Sequence, residues 1–302
     1  MALRDMSVRK GLHVSEYGLL DDATGETVRC ATEAEVYGLL GLGYIEPELR
    51  ENRGELEAAA AGTLPALVSV DDLRGDLHCH TTISDGTASI EAMAVAARDA
   101  GYEYLAITDH SYDVAAERVP DYVAAIRAVQ VDGLQLLAGS EVNILPDGRL
   151  DYDDDVLALF DWVVASVHTA FRMPAGEMTA RIVRAVEHPR VDMIGHLSGR
   201  KIERRAPYSF DAERVIEAAA ASGTMLEINA SPDRRDLNEV NARAAAAAGA
   251  RVVINCDAHR VGGFAVARFG VATARRAWLT AADVVNTRPW AELESMRRKR
   301  SG

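Results

Sequence analysis

From Asp71 onward, short apolar runs alternate with stretches whose apolar residues recur at helical spacing, and this alternation restricts the fold more than any other feature. Seven runs have the length of strands: 75–80, 104–108, 135–140, 162–167, 192–194, 225–229 and 251–255. Repeated strand and helix units of this kind build a parallel sheet covered by helices. Ser89 caps a helix in which Ile90, Met93, Ala94 and Ala97 fall at i, i+3, i+4 and i+7 before Gly101 closes it. Asp211 opens another helix, carrying Val215, Ile216 and Ala219 and ending at Gly223, and Asp236 precedes a third that ends at Gly249. Seven strands with crossover helices predict an α/β fold closed into a barrel. Residues 1–70 read differently, with two short strands expected around the turn Thr24-Gly25 and a helix over 32–40. The expected organisation is a small appended subdomain, 1–70, and one large domain, 71–302.

Six of the eight histidines stand at or just beyond the expected C-terminal ends of these strands: His78, His80, His110, His168, His196 and His259. Barrels of parallel strands gather function at that end. His78 and His80 lie two apart and project to one side of a strand, with Cys79 on the other, and Asp257 and His259 repeat the device. Glu141 follows the third strand, and Asp85 sits in a turn just past the first. Taken singly, each histidine would be assigned to a satisfied buried polar position. Six at equivalent places with three carboxylates point instead to a metal centre, since burying that many titratable groups without a cation costs desolvation and repulsion. Imidazoles and carboxylates without thiolate suit manganese, zinc or iron. His13 and His188 fall outside the pattern, the latter read as a favourable charge at a helix C-terminus.

Around these positions, Arg172, Arg200 and Lys201 are expected to reach substrate phosphate from loops at the mouth, Arg200 foremost, and Arg204 and Arg205 are close enough to do the same, whereas Lys201, Arg204 and Arg205 are as readily explained as solvated charges. Asp109, beside His110, either orients a ligand from behind or caps a strand end. Trp162, Phe171 and Trp278 are assigned to core or rim packing. The basic run from Arg297 to Arg300 is read as a solvated tail.

A formal net charge of −13 counts against a polyanionic partner unless cations are concentrated locally. No apolar run has membrane-spanning length and the N-terminus lacks the apolar segment of a secretory signal, so a cytoplasmic setting without membrane contact is expected. Cys30, Cys79 and Cys256 share no metal or redox spacing and are expected as free thiols.

The segments DLHCHTTISDG, AITDHS, GSEVNILPDG, ASVHTAFR, IGHLSGR and NCDAH resemble, in order, the motifs of the PHP (polymerase and histidinol phosphatase) domain family. The resemblance is greatest to the C-terminal PHP domain of bacterial family X DNA polymerases, because EYGLLDD, LGYIEPELRENRGELEAA and LRGDLH are similar to the region joining polymerase and PHP domains there. It implies a distorted (β/α)7, TIM-like barrel with a small α+β appendage at the N-terminus. It also implies a trinuclear centre, one metal on His78, His80, Glu141 and Asp257, a second on Glu141, His168 and His196, and a third on Asp85, His110 and His259. The expected chemistry is in-line hydrolysis of a phosphate ester by hydroxide generated at that centre. The expected activity is that of a 3′-5′ exonuclease or DNA 3′-end phosphoesterase. Polymerisation is not expected, because fingers and palm are not represented in these residues. The alternatives are a phosphomonoesterase of the histidinol-phosphatase type, and a catalytically silent PHP module that scaffolds or regulates. The third would be expected to have lost ligands, and no ligand position is substituted.

Overall fold

Two units make up the chain, Met1–Ala66 and Leu67–Gly302, in a computed structural model that describes residues 2–297. In the first, helix α1 (Ala2–Arg9) precedes an antiparallel sheet of β1 (Leu12–Ser15), β2 (Gly18–Asp21) and β3 (Thr27–Val28), with helices α2 (Glu33–Leu39) and α3 (Glu55–Ala61) following. The turn at Thr24-Gly25 is present, Gly25 adopting φ +70°. Thr32 caps α2 by accepting from Glu35 N–H at 3.3 Å. Leu19, Tyr37, Leu40, Ile45 and Leu49 are the buried apolar residues around which this small unit packs.

The second unit is the expected α/β barrel. Its parallel strands β4 (Gly75–Cys79), β5 (Tyr104–Ile107), β6 (Gln135–Asn143), β7 (Trp162–Ser166), β8 (Met193–Ile194), β9 (Met225–Asn229) and β10 (Val252–Asn255) are hydrogen-bonded in chain order. Across the ends of that order, His80 N–H donates to the Ala258 carbonyl at 2.8 Å and Leu77 N–H donates to Asn255 Oδ1 at 2.9 Å. These bonds and the bridge between Cys79 and Ala258 close the ring.

The helices between the strands follow from their caps and apolar stripes. Ser89 accepts from Ala92 N–H at 3.2 Å to start α4 (Ile90–Asp99), which buries Ile90, Met93, Ala94 and Ala97. After β5 comes α5 (Val119–Ala128), after β6 the short α6 (Asp154–Leu157), and after β7 α7 (Ala175–Val186). Asp211 accepts from Arg214 N–H at 3.1 Å to start α8 (Ala212–Ser222), and Gly223 ends it at φ +77°. The next helix, α9 (Glu239–Ala247), is capped by Asn238 rather than by Asp236. Asp236 is buried instead, accepting from the N–H and hydroxyl of Ser198 at 2.8 Å each, so its carboxylate ties two loops together. Helices α10 (Ala267–Arg276) and α11 (Trp290–Met296) complete the unit.

Two apolar layers result. One lies between strands and helices, through residues such as Leu105, Ile107, Val163, Leu226 and Ile254. The other fills the barrel interior with Leu77, Tyr104, Leu137, Trp162, Val164, Met193, Met225 and Val253, closed off by Val285, Trp290 and Leu293. Fully burying side chains of this size is worth about 1.5–3 kcal/mol each. Arg297 is anchored here: it donates to Asp192 at 2.9 and 3.1 Å and lies over Trp162 and Trp290, so the expected solvated tail does not begin at this residue. Arg298, Lys299 and Arg300 lie outside the described residues. Among the described residues, no helix is long and apolar enough to cross a membrane.

Candidate metal centre

Along the inward face of the strands, polarity rises toward their C-terminal ends at the strand period of two. Met225, Glu227 and Asn229 follow one another on β9, Val253, Asn255 and Asp257 on and just beyond β10, Leu137, Gly139 and Glu141 on β6, and Val164, Ser166 and His168 on and beyond β7. The apolar members fill the interior and the last members converge at one mouth. Glycine makes room there: a Cβ on Gly195 would lie 2.5 Å from Ser166 Oγ and 3.3 Å from His78 Cε1.

All nine expected side chains meet at that mouth. Glu141 is the centre of the group, with Oε1 2.9 Å from His196 Nε2, 3.3 Å from His168 Nε2 and 3.4 Å from His78 Nε2, and Oε2 2.9 Å from His110 Nδ1 and 3.6 Å from His80 Nε2. Asp257 Oδ1 lies 3.2 Å from His80 Nε2 and 3.8 Å from His78 Nε2. Asp85 Oδ1 lies 3.3 Å from His259 Nε2, 3.5 Å from His110 Nε2 and 3.8 Å from His80 Nδ1. Donor atoms therefore gather into sets that could each hold an ion: His80, Asp85, His110 and His259; His78, His80 and Asp257; His78, Glu141 and His196; His110, Glu141 and His168.

The donors fit divalent cations on structural grounds. His78 Nε2, both ring nitrogens of His80, His110 Nδ1, His168 Nε2 and both Glu141 oxygens are buried without a hydrogen-bond partner. Leaving one such group unsatisfied costs about 1–3 kcal/mol, so a whole set is tolerable only where something else occupies the lone pairs. Three rings are oriented for that purpose from behind. His78 Nδ1–H donates to Glu227 Oε1 at 2.8 Å, His168 Nδ1–H to Asn143 Oδ1 at 2.7 Å, and His259 Nδ1–H to the Asp257 carbonyl at 2.8 Å. Each bond fixes the tautomer and leaves the Nε2 lone pair directed toward the cluster.

The electrostatics of the bare cluster are those of anions held by protons. Burial pushes the Glu141 carboxyl up, but His168, His78 and His196 outweigh it and hold the group well below the usual carboxylate range. Asp257 is likewise held down against burial by His78, His80 and Arg234. Burial opposes a charge on His110, yet the facing carboxylates of Asp85 and Glu141 raise it to about 10. Burial and the neighbouring Arg234 push His196 down to about 4.

Asp109 serves the turn that carries Asp85. Its carboxylate accepts from Thr81 N–H at 2.7 Å, Thr81 Oγ1 at 2.8 Å, Ser84 Oγ at 2.6 Å and Tyr122 Oη at 3.2 Å. The buried Cys79 and Cys256 point away from the cluster, with Sγ near the Ala106 and Phe264 carbonyls. His13 and His188 lie elsewhere, paired with Asp22 and Asp154. His188 also accepts from Arg190 N–H through Nδ1, and burial lowers its pKa, so it braces a turn as a neutral ring instead of charging a helix end.

Beside the cluster opens a cavity of about 460 Å³, lined by Lys201, Arg205 and Arg234 as well as ligand positions. Of the cations expected at phosphate, Lys201 is in this lining. Arg172 is exposed and not part of it. Arg200 is committed elsewhere: it donates to the backbone carbonyls of Arg234 and Arg235, bracing their loop. Arg234 lines the cavity instead, with Nε 3.3 Å from Asp257 Oδ2 and Nη1 buried without a hydrogen-bond partner. It lies far along the chain from the segment IGHLSGR that carries Arg200, and no local spacing marks it. Glu227 was also unmarked, although an acid within the fully buried strand MLEIN was a signal in itself.

A closed α/β barrel with histidines and carboxylates converging beyond the strand ends has the architecture of a metal-dependent hydrolase. Comparison with known proteins defines it further. Residues 76–231 match the family model of the PHP domain, and residues 1–51 match that of the DNA polymerase beta thumb. A Bacillus subtilis (strain 168) protein named DNA polymerase/3′-5′ exonuclease PolX is 39% identical over 301 residues, covering 97% of this chain and 52% of that protein. A protein of Thermoanaerobacter sp. (strain X514), named a probable phosphatase, is 32% identical over 228 residues, 70% of this chain and 89% of its own. A Listeria monocytogenes structure assigned as a histidinol phosphatase shares the fold at TM-score 0.51 and 15% identity, covering 63% of this chain and 96% of that one. The chain belongs to the PHP domain family and is a phosphate-ester hydrolase. It spans about half the length of the Bacillus relative.

Proposed function

We propose that this chain is a metal-dependent 3′-5′ exonuclease or DNA 3′-end phosphoesterase. The observation that carries the reading is the juxtaposition, in one cavity, of Asp85, His110, Glu141, His168, His196, Asp257 and His259 from the cluster with Lys201, Arg205 and Arg234. Cations are thus concentrated where a phosphate must sit, in a chain whose net charge is −13. The B. subtilis relative, similar across 97% of this chain, is named as both polymerase and 3′-5′ exonuclease, which favours a DNA end as the ester.

His78, His80, Asp85, His110, Glu141, His168, His196, Asp257 and His259 would hold up to three divalent ions, manganese, zinc or iron. Bound there, such ions supply Lewis acidity toward the phosphate oxygens and lower the pKa of water. The protein's own part is positional. Glu141 belongs to two of the donor sets, Asp109 fixes the turn of Asp85, and the Nδ1 bonds fix three rings. Arg234, with an unsatisfied Nη1 beside Asp257, is placed to hold a non-bridging phosphate oxygen, and Lys201 and Arg205 extend the cationic wall. Residues 1–70 belong in this reading to the end of a family X polymerase region and its linker. The three unpaired cysteines suit a cytoplasmic setting.

A second reading, a small-molecule phosphomonoesterase of the histidinol-phosphatase type, is favoured by the acidic net charge and by relatives named as phosphatases. Digestion of a labelled single-stranded oligonucleotide beside histidinol phosphate, under the same manganese conditions, decides between them. Stepwise shortening from the 3′ end supports the first. An intact oligonucleotide with cleaved monoester overturns it.

A further inference from the structure

Several tyrosines of the barrel unit have their hydroxyls tied into it. Tyr122 bonds Asp109, Tyr152 bonds the Ser111 and Val114 carbonyls, Tyr208 bonds the Leu197 carbonyl, and Tyr104 bonds the Arg288 carbonyl. Tyr112 differs. Among the described residues its hydroxyl has no hydrogen-bond partner, its side chain is 57% exposed, and it lines the cavity beside the cluster. Its backbone is nonetheless held, because Ser111 Oγ donates to Asp151 at 2.6 Å and Tyr152 Oη donates to the Ser111 carbonyl at 3.1 Å. The Tyr112 ring stacks on His110 with centroids 4.5 Å apart and planes 19° apart, while His168 meets it edge-on at 6.2 Å. The other aromatic of the lining, Phe171, is already engaged, with the Arg205 guanidinium 3.9 Å from its centroid and Tyr208 stacked at 6.3 Å.

We propose that Tyr112 is a specificity-determining platform on which a planar heteroaromatic group of the substrate, a nucleobase, stacks while its phosphate is held at the cluster. The inference deepens the phosphoesterase reading and rests on it for what enters the cavity. An exposed ring held flat against His110 has little freedom left to lose on binding, which is what makes a stacking surface effective. A base offers such a ring more area than an imidazole does, and every base has a π-face, so this contact would read the presence of a base without reading its identity. Baseless sugar phosphates have nothing to place there.

The test is binding of dAMP, 2-deoxyribose 5-phosphate and histidinol phosphate to the manganese-loaded full chain and to Tyr112→Ala and Tyr112→Phe, by calorimetry. Stacking worth about 1–3 kcal/mol predicts that the parent prefers dAMP over the sugar phosphate by roughly 5- to 150-fold. Tyr112→Phe keeps that ratio and Tyr112→Ala collapses it. The ratio compares two ligands on one protein, so a variant that weakens both equally, through damage to His110 or to metal loading, counts against the platform. No preference in the parent, or a preference surviving in Tyr112→Ala, overturns it. Loss of histidinol phosphate binding in Tyr112→Ala with dAMP unaffected overturns the assignment to a nucleobase. The exonuclease reading fails or stands separately, on oligonucleotide digestion by the parent. Base preference without digestion keeps the platform and removes the exonuclease, and digestion without base preference does the reverse.

Discussion

His78 donates Nδ1–H to Glu227 Oε1 at 2.8 Å, across 149 residues of sequence and with both side chains fully buried. Glu227 also accepts from His196 N–H at 2.7 Å, Asn255 Nδ2 at 3.1 Å and Asn229 Nδ2 at 3.2 Å. A carboxylate so enclosed keeps His78 in the tautomer that presents Nε2, and it ties the backbone of one ligand position to the ring of another. Glu227→Ala is expected to lower affinity for manganese about 10- to 100-fold, measured by calorimetry on protein stripped of metal. It also orphans several buried donors, so the stripped protein should melt earlier. Unchanged metal affinity in a folded Glu227→Ala variant would remove this role.

Arg234 and Arg200 should separate in kinetics. Arg234→Ala would remove the charge-assisted contact to phosphate proposed for it and is expected to raise KM about 10- to 100-fold. Arg200→Ala removes bonds to the Arg234 and Arg235 carbonyls and is expected first to lower the melting temperature. If Arg200→Ala matches Arg234→Ala in KM at unchanged stability, the assignment of Arg234 is wrong.

Metal binding should expel protons. Without ions the cluster favours protonated His110, with a pKa of about 10, beside ionised Glu141 and Asp257. Cations must displace such protons, so apparent affinity is expected to rise from pH 6 to pH 8. Calorimetric titration in two buffers of different ionisation enthalpy measures the release directly. Identical heats in both would contradict it.

The seven strands were legible because each is a short apolar run closed by a turn or cap, and the convergence of the nine expected side chains was legible because most sit at strand ends, with His78 and His80 two residues apart. What escaped was whatever depends on register between distant strands. Nothing near Glu227 in sequence reveals that it faces His78, and nothing near Arg200 reveals that the carbonyls of Arg234 and Arg235 will claim its guanidinium. Asp236 misled for a related reason. It stands close before a helix, as a cap does, but Asn238 holds the capping geometry and Ser198 draws the carboxylate into the interior.

That burial predicts a pH effect on stability. Burial is the main cause that raises the Asp236 pKa from 3.8 to about 6, against the hydrogen bonds of Ser198. The folded state therefore prefers the protonated acid. The stability this group contributes is full below about pH 3.8 and is lost as pH rises through about 6, a loss on the order of 2–3 kcal/mol. Asp236→Asn cannot ionise and keeps an acceptor for Ser198, so its stability should fall less than the parent's between pH 5 and pH 7.5 in denaturant titrations. Equal falls would show that Asp236 is not the responsible group.

Anomalous diffraction from a crystal soaked in manganese tests the central claim, that these nine side chains form one cation-binding cluster. The account predicts anomalous peaks, up to three, among His78, His80, Asp85, His110, Glu141, His168, His196, Asp257 and His259, with Glu141 contacting more than one. A soaked crystal with no peak at the mouth of the barrel, or with manganese bound only elsewhere, would contradict it.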